Sequence, residues 1–174
     1  MTASPIGTED QAAFTARYGA LFEHSPWIAA RSWRAGGYPG PDAMLEAMVH
    51  TIRNATAQAR LALLQAHPEL AGPETQSGTL TQASTAEQSS AGLDRLTAED
   101  LARQRHLNDA YRARHGVPFI ICVRQHTRAS ILSELERRIP RSTAQEHEEA
   151  LTQVVAIARL RLAQILASPT QQPP

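Results

Sequence analysis

Cysteine is close to absent: among 174 residues there is one, Cys122. No intrachain disulfide can form and a cysteine-based zinc site is excluded, which fits a reducing compartment and sets the expectation of a cytoplasmic protein. Net charge is absent as well. The chain carries 17 Lys+Arg against 17 Asp+Glu, so no global field draws it to nucleic acid or to an anionic membrane, and the expected partner is small or neutral. Nor does any apolar run approach the roughly 20 residues that span a bilayer. The opening MTASPIGTED lacks the basic start and apolar core of a secretory signal, and the closing SPTQQPP is no peroxisomal signal of the Ser-Lys-Leu type. Missing too are H-E-x-x-H, a G-x-S-x-G elbow, a Walker loop and G-x-G-x-x-G, which argues against the common metalloprotease, hydrolase, nucleotide and dinucleotide classes. The histidines include no i, i+4 pair with a carboxylate in a ligand role, so neither a metal nor an organic cofactor is expected.

What is present is helix-forming. Aromatics make up 5% of the chain, while Ala, Leu, Gln, Glu and Arg are abundant, so an all-α fold of about eight to ten helices is predicted, as one domain over residues 1–167 with a disordered polar tail at 168–174. Thr8 and Asp10 can start a helix through Phe14, Tyr18, Leu21 and Phe22. Ser25-Pro26 opens the short WIAARSW helix. Met44, Leu45, Met48, Val49 and Ile52 form a helical stripe, and TAQARLALLQAH follows. Residues 68–83 read as a surface loop of the length that often carries function. Helices return at STAEQSSAGLDRL and at TAEDLARQRHLNDAYRARHG, the latter capped by Thr97 and stopped by Gly116. VPFIICV has no second strand to pair with and reads as a buried extended piece leading into TRASILSELERRI. Ser142 with Gln145 then forms a capping box for a long last helix.

Several residues carry candidate chemistry, each with a bland alternative. His67 in LLQAHPELAG sits at a helix C-terminus, where the dipole favours the imidazolium and Pro68 fixes the chain direction; it is either a poised acid–base group or a partner for the last free carbonyls. Glu87 follows Ser84 by three residues, the S/T-x-x-E capping box, so its carboxylate either closes its own helix end or joins Ser84 and Gln88 in a polar cluster at that helix N-terminus. The PFIICV run is either plain core or, through backbone N–H groups of Phe119 to Ile121, a wall against a ligand. Arg159 and Arg161 lie two apart on an apolar helix and so face different ways; either one of them points inward toward a carboxylate ligand, or both are surface arginines whose stems cover apolar neighbours.

Taken in order, FEHSPWIA (22–29), HPELAG (67–72), STAEQSSAGLD (84–94), PFIICV (118–123) and IARLRL (157–162) resemble the 2-oxo-4-hydroxy-4-carboxy-5-ureidoimidazoline (OHCU) decarboxylase family. The resemblance implies an all-α homodimer without metal or organic cofactor that converts OHCU, a product of urate oxidation, to (S)-allantoin and carbon dioxide. It makes His67 and Glu87 the catalytic pair. It makes Pro68, Ser84, Gln88, Phe119, Ile120, Ile121 and Arg161 the substrate-binding positions, with Arg161 chosen over Arg159. The rival reading is a helical binding or scaffold protein that kept the fold and lost the chemistry; intact His67, Ser84, Glu87, Gln88 and Arg161 weigh against it. A nucleic-acid-binding domain is disfavoured by the balanced charge.

Overall fold

The computed structural model describes residues 5–168, apart from the Gln76 side chain. The expected disordered tail therefore lies almost wholly outside the described residues. The described chain is helical almost throughout: α1 (Gln11–Tyr18), α2 (Trp27–Ser32), α3 (Pro41–Arg53), α4 (Ala57–Gln65), α5 (Pro73–Ser77), α6 (Gln82–Ser90), α7 (Ala98–His115), α8 (Arg128–Arg138) and α9 (Thr143–Ala167), with 3-10 turns at Gly19–Leu21 and Val123–Gln125. Among the described residues the single β-type pairing is an isolated bridge between Ile6 and Tyr38. The chain divides into two compact units, residues 1–63 with 155–174, and residues 64–154. The division falls within α4 and within α9.

The first unit is organised by apolar burial. Asp10, not Thr8, caps α1, its Oδ1 accepting from the Ala13 N–H at 2.9 Å. The α-helix ends at Tyr18 and tightens into a 3-10 turn, where a longer α-helix was expected. Phe14, Tyr18, Leu21, Phe22, Ile28, Met44, Leu45, Met48 and Ile52 are all buried. The stripe predicted for α3 thus faces the core, with Val49 at its margin. A buried ion pair also lies in this unit: Arg161 Nη1 donates to Glu23 Oε2 at 2.8 Å.

The second unit is punctuated where the sequence implied. Thr97 caps α7 and Gly116, at φ 72°, ends it in the left-handed conformation that a side chain disfavours. Val117 to Cys122 are buried and outside any helix, and the 3-10 turn at Val123–Gln125 leads from them to α8, whose cap is Thr127. Ser142 and Gln145 form the predicted box ahead of α9 through bonds of 3.3 Å in both directions. The predicted loop over 68–83 is interrupted by α5, which Pro73 initiates and Gly78 terminates. By length and composition α9 is apolar enough to cross a membrane, contrary to the sequence expectation. It nevertheless carries the fully buried, ion-paired Glu146 and the buried Arg161, the pattern of a helix packed within protein.

Candidate active site

The loop between α4 and α5 holds the first candidate. α4 stops at Gln65, and the His67 N–H closes the last turn on the Leu64 carbonyl at 3.2 Å. Pro68 then directs the chain away from the helix, because its neighbour is pushed out of α geometry. His67 and Pro68 are half-buried, and Leu70 and Ala71 are buried. Ala71 adopts φ 51°, a left-handed conformation that costs a non-glycine residue about 1–2 kcal/mol. Gly72 is required for space: a Cβ there would lie 2.9 Å from the Glu69 Cβ and 3.1 Å from its carbonyl oxygen.

α6 supplies the second set, and here the structure corrects the capping expectation. Thr81, not Ser84, is the N-cap, its hydroxyl accepting from the Ser84 N–H at 3.3 Å. Glu87 therefore lies in the second helical turn, too far along to close its own helix end, and the bland capping role assigned to it falls away. Ser84, Glu87 and Gln88 are all buried on this helix. Its C-terminus is closed by a Schellman pair, Leu93 N–H to Gln88 O at 3.1 Å and Gly92 N–H to Ser89 O at 3.0 Å. SAGLD is thus a helix end.

Gln88 joins the two sets. Its Oε1 accepts from the Ala71 N–H at 2.9 Å and from the Thr75 hydroxyl at 2.9 Å, and its Nε2 donates to the Glu69 carbonyl at 3.3 Å. Its amide oxygen is thus committed to bracing the His67 loop, leaving one N–H for any ligand. α7 braces the same loop. Asn108 Nδ2 donates to the Leu70 carbonyl at 2.9 Å, and Gln104 Nε2 donates to Asn108 Oδ1 at 2.9 Å, both side chains being buried. On the outside Arg112 Nη2 pairs with Glu69 at 3.1 Å.

The extended run forms the third set. The side chains of Phe119, Ile120 and Ile121 are each at most 3% exposed. Phe119 is stacked edge-on against Tyr111 at 5.3 Å, so the ring belongs to the core. The Cys122 N–H is taken by Gln153 Oε1 at 2.9 Å and the Ile120 carbonyl by Arg138 Nη1 at 2.9 Å. Among the described residues no protein acceptor takes the amides of Phe119, Ile120 or Ile121. Burial pushes the Cys122 thiol up, and the Glu87 charge adds to that shift, so the carboxylate is within electrostatic reach of this segment.

Arg161 belongs to the first unit. Of the two arginines, Arg161 is the buried one, at 5% side-chain exposure, held on Glu23; Arg159 is exposed and paired with Asp42. The inward carboxylate that the sequence left to a ligand is thus in part the protein's own Glu23. Sequence reasoning passed over Glu23, Gln104, Asn108 and Arg138. Only Glu23 had a signal, its place inside FEHSPWIA; the others sit on helices as ordinary polar letters. Among the described residues no three or more His, Cys, Asp or Glu converge as a metal cluster would.

An all-helical chain that buries a glutamate on the same helix whose Gln88 braces the histidine loop fits a small enzyme that works by acid–base chemistry. The OHCU decarboxylase family model matches residues 8–163. The chain is 37% identical to the 2-oxo-4-hydroxy-4-carboxy-5-ureidoimidazoline decarboxylase of Halalkalicoccus jeotgali, covering 95% of this chain and 92% of that protein. It is 36% identical to the protein of the same name from Haloferax volcanii, covering 97% and 98%. Among solved structures, an (S)-allantoin synthase superposes with a TM-score of 0.68 at 27% identity, covering 91% of this chain and 52% of that one. The chain belongs to the OHCU decarboxylase family.

Proposed function

We propose that this protein removes CO2 from OHCU to give (S)-allantoin in urate breakdown, using its own side chains as the only catalysts. The observation that carries the reading is the Gln88 bridge, which ties the loop of His67 to the helix of Glu87 once the capping role of Glu87 is gone. The family match runs through both units, which supports reading residues 1–167 as one functional domain. Cytoplasmic location and a homodimer are further parts of the proposal, the first supported by the single buried cysteine and the second by family membership alone.

The substrate's chemistry defines what the residues must do. Its carboxylate sits on a carbon next to a C=N bond, so the electron pair released with CO2 moves into the imine and the ring nitrogen takes a proton. The resulting enol then gains a proton on carbon, on one face, and loses its hydroxyl proton to become a carbonyl. In this reading His67 contacts the hydroxyl and carboxylate region and Glu87 the ring nitrogens or ureido group, and the two groups manage these protons. Backbone amides of Phe119 to Ile121 and the fork of Arg161 hold the oxygens, with Pro68, Ser84 and the remaining Gln88 N–H completing the contacts. A lysine Schiff base plays no part, because all 17 basic residues are arginine and no lysine is present.

OHCU also decays unaided to racemic product, so rate and handedness are both measured. OHCU is generated in situ with urate oxidase and hydroxyisourate hydrolase, and its absorbance and the product's circular dichroism are followed. The protein should accelerate formation of (S)-allantoin; unaccelerated, racemic product overturns the proposal. His67→Ala and Glu87→Gln should each lose about 100-fold or more in kcat while the chain stays folded.

A further inference from the structure

Arg138 is 1% exposed, and no arginine is buried that deeply without several partners. Its Nε donates to Glu146 Oε2 at 2.7 Å, its Nη1 to the Ile120 carbonyl at 2.9 Å and its Nη2 to the Tyr111 hydroxyl at 3.4 Å. The guanidinium also lies 4.7 Å from the centre of the Phe119 ring. Neutralising Glu146 does not explain it, because Arg141 already reaches the other carboxylate oxygen at 3.0 Å. Tyr111 donates to the same carboxylate at 2.8 Å. Tyr111 meets the Phe119 ring as well; what Arg138 adds is a grip on the segment's backbone, through the Ile120 carbonyl, together with its contact on the Phe119 face.

That grip has a geometric consequence. The Ile120 carbonyl and the Ile121 N–H are the two ends of one planar peptide unit, and it is trans. Fixing the carbonyl on Arg138 therefore points the Ile121 N–H the opposite way, out of the buried cluster. Gln153 fixes the next peptide by taking the Cys122 N–H at 2.9 Å. A lone extended segment has no neighbouring strand to set these directions, so the side chains of α8 and α9 do it instead.

We infer that Arg138 is a positioning residue: through the Ile120 carbonyl and the Phe119 ring it aims the Ile121 amide at the substrate. The inference rests on the functional reading above, in which these amides hold OHCU. Arg138 touches no reacting atom, so its loss should weaken substrate binding more than chemistry. A merely structural arginine would instead lower the folded fraction, and with it the apparent kcat, at unchanged KM.

The test is steady-state kinetics on OHCU with Arg138→Lys and Arg138→Met, at a temperature where circular dichroism shows each variant folded. KM should rise about tenfold, the ordinary effect of one misdirected hydrogen bond, with kcat within about threefold. Peptides covering residues 117–122 should exchange amide hydrogen faster than in the parent chain. Since Arg138→Met removes one of the partners of the buried Glu146, leaving Arg141 and Tyr111, the double variant Arg138→Met with Glu146→Leu repeats the test with that buried charge removed. A KM equal to that of the parent chain in Arg138→Lys and in the double variant, with only the melting temperature lowered, overturns the inference. If the parent chain itself fails to accelerate the reaction, the functional reading fails, which is a different result.

Discussion

In the unit of residues 1–63 and 155–174, the interior is mainly Phe14, Tyr18, Leu21, Phe22, Ile28 and the α3 stripe of Met44, Leu45, Met48 and Ile52, with Ser25, Ser32 and the Glu23–Arg161 pair as its buried polar members; residues 64–154 bury Ser84, Glu87, Gln88, Gln104, Asn108, His115, Arg138 and Glu146 among their apolar side chains. Apart from the Glu23–Arg161 pair, the first interior is held mainly by non-directional apolar burial, which tolerates substitutions of similar volume. The second depends on directional hydrogen bonds, which stabilise little on average but fix geometry, and which cost heavily when one partner is lost. The lesson is one of purpose. A buried amide such as Asn108 adds less stability than a leucine, yet it holds one particular carbonyl of one particular loop, and that loop carries His67.

The contrast is open to attack from both sides. The largest effect should come from Phe14→Ala, which empties part of the apolar interior and should cost about 3–5 kcal/mol in urea unfolding. The protein that stays folded should keep the parent KM, because no directional contact to the site is lost; a shifted KM would break the contrast. Asn108→Leu should cost less, about 1–3 kcal/mol, by leaving the Leu70 carbonyl and the Gln104 amide without partners. It should nonetheless reduce kcat/KM more than Phe14→Ala does, and an activity loss that only tracks stability would argue against a positioning role. Gly72→Ala should cost a similar or smaller amount, about 1–3 kcal/mol, by driving a Cβ against Glu69. Its signature is a shifted His67 ring resonance by NMR.

The smallest effect concerns pH. Burial lowers the His115 pKa below its ordinary 6.5, opposed by its bond to the Ile139 carbonyl. The unfolded chain therefore binds the proton more readily than the folded one. Stability from this group is complete above about pH 6.5 and is lost as the pH falls from there through the folded value. The melting temperature should drop across that window, and His115→Gln should flatten the drop.

Much of the helix pattern was legible because it is written in neighbouring residues. Thr97 and Gly116 around α7, the Ser142–Gln145 box and the α3 stripe are local features, and the structure has each of them. The start of α6 was not legible. Thr81 and Ser84 are both competent caps one turn apart, so neighbouring letters give no preference. The choice matters, since it moves Glu87 from the cap into the helix body. The two arginines of IARLRL posed the same problem: spacing said that they face different ways, while burial decided which way each one faces.

The sequence by itself thus determined an all-α chain, the ends of most helices, the family, and the stretches in which His67, Glu87 and the extended run lie. Tertiary structure alone decided that Gln88 braces the His67 loop, that Asn108 holds Leu70, that Arg138 grips Ile120 and that Arg161 meets Glu23. Capping and periodicity act over a few residues, whereas these contacts join residues 17 to 138 positions apart. No local rule links such partners; they meet only once the helices have packed.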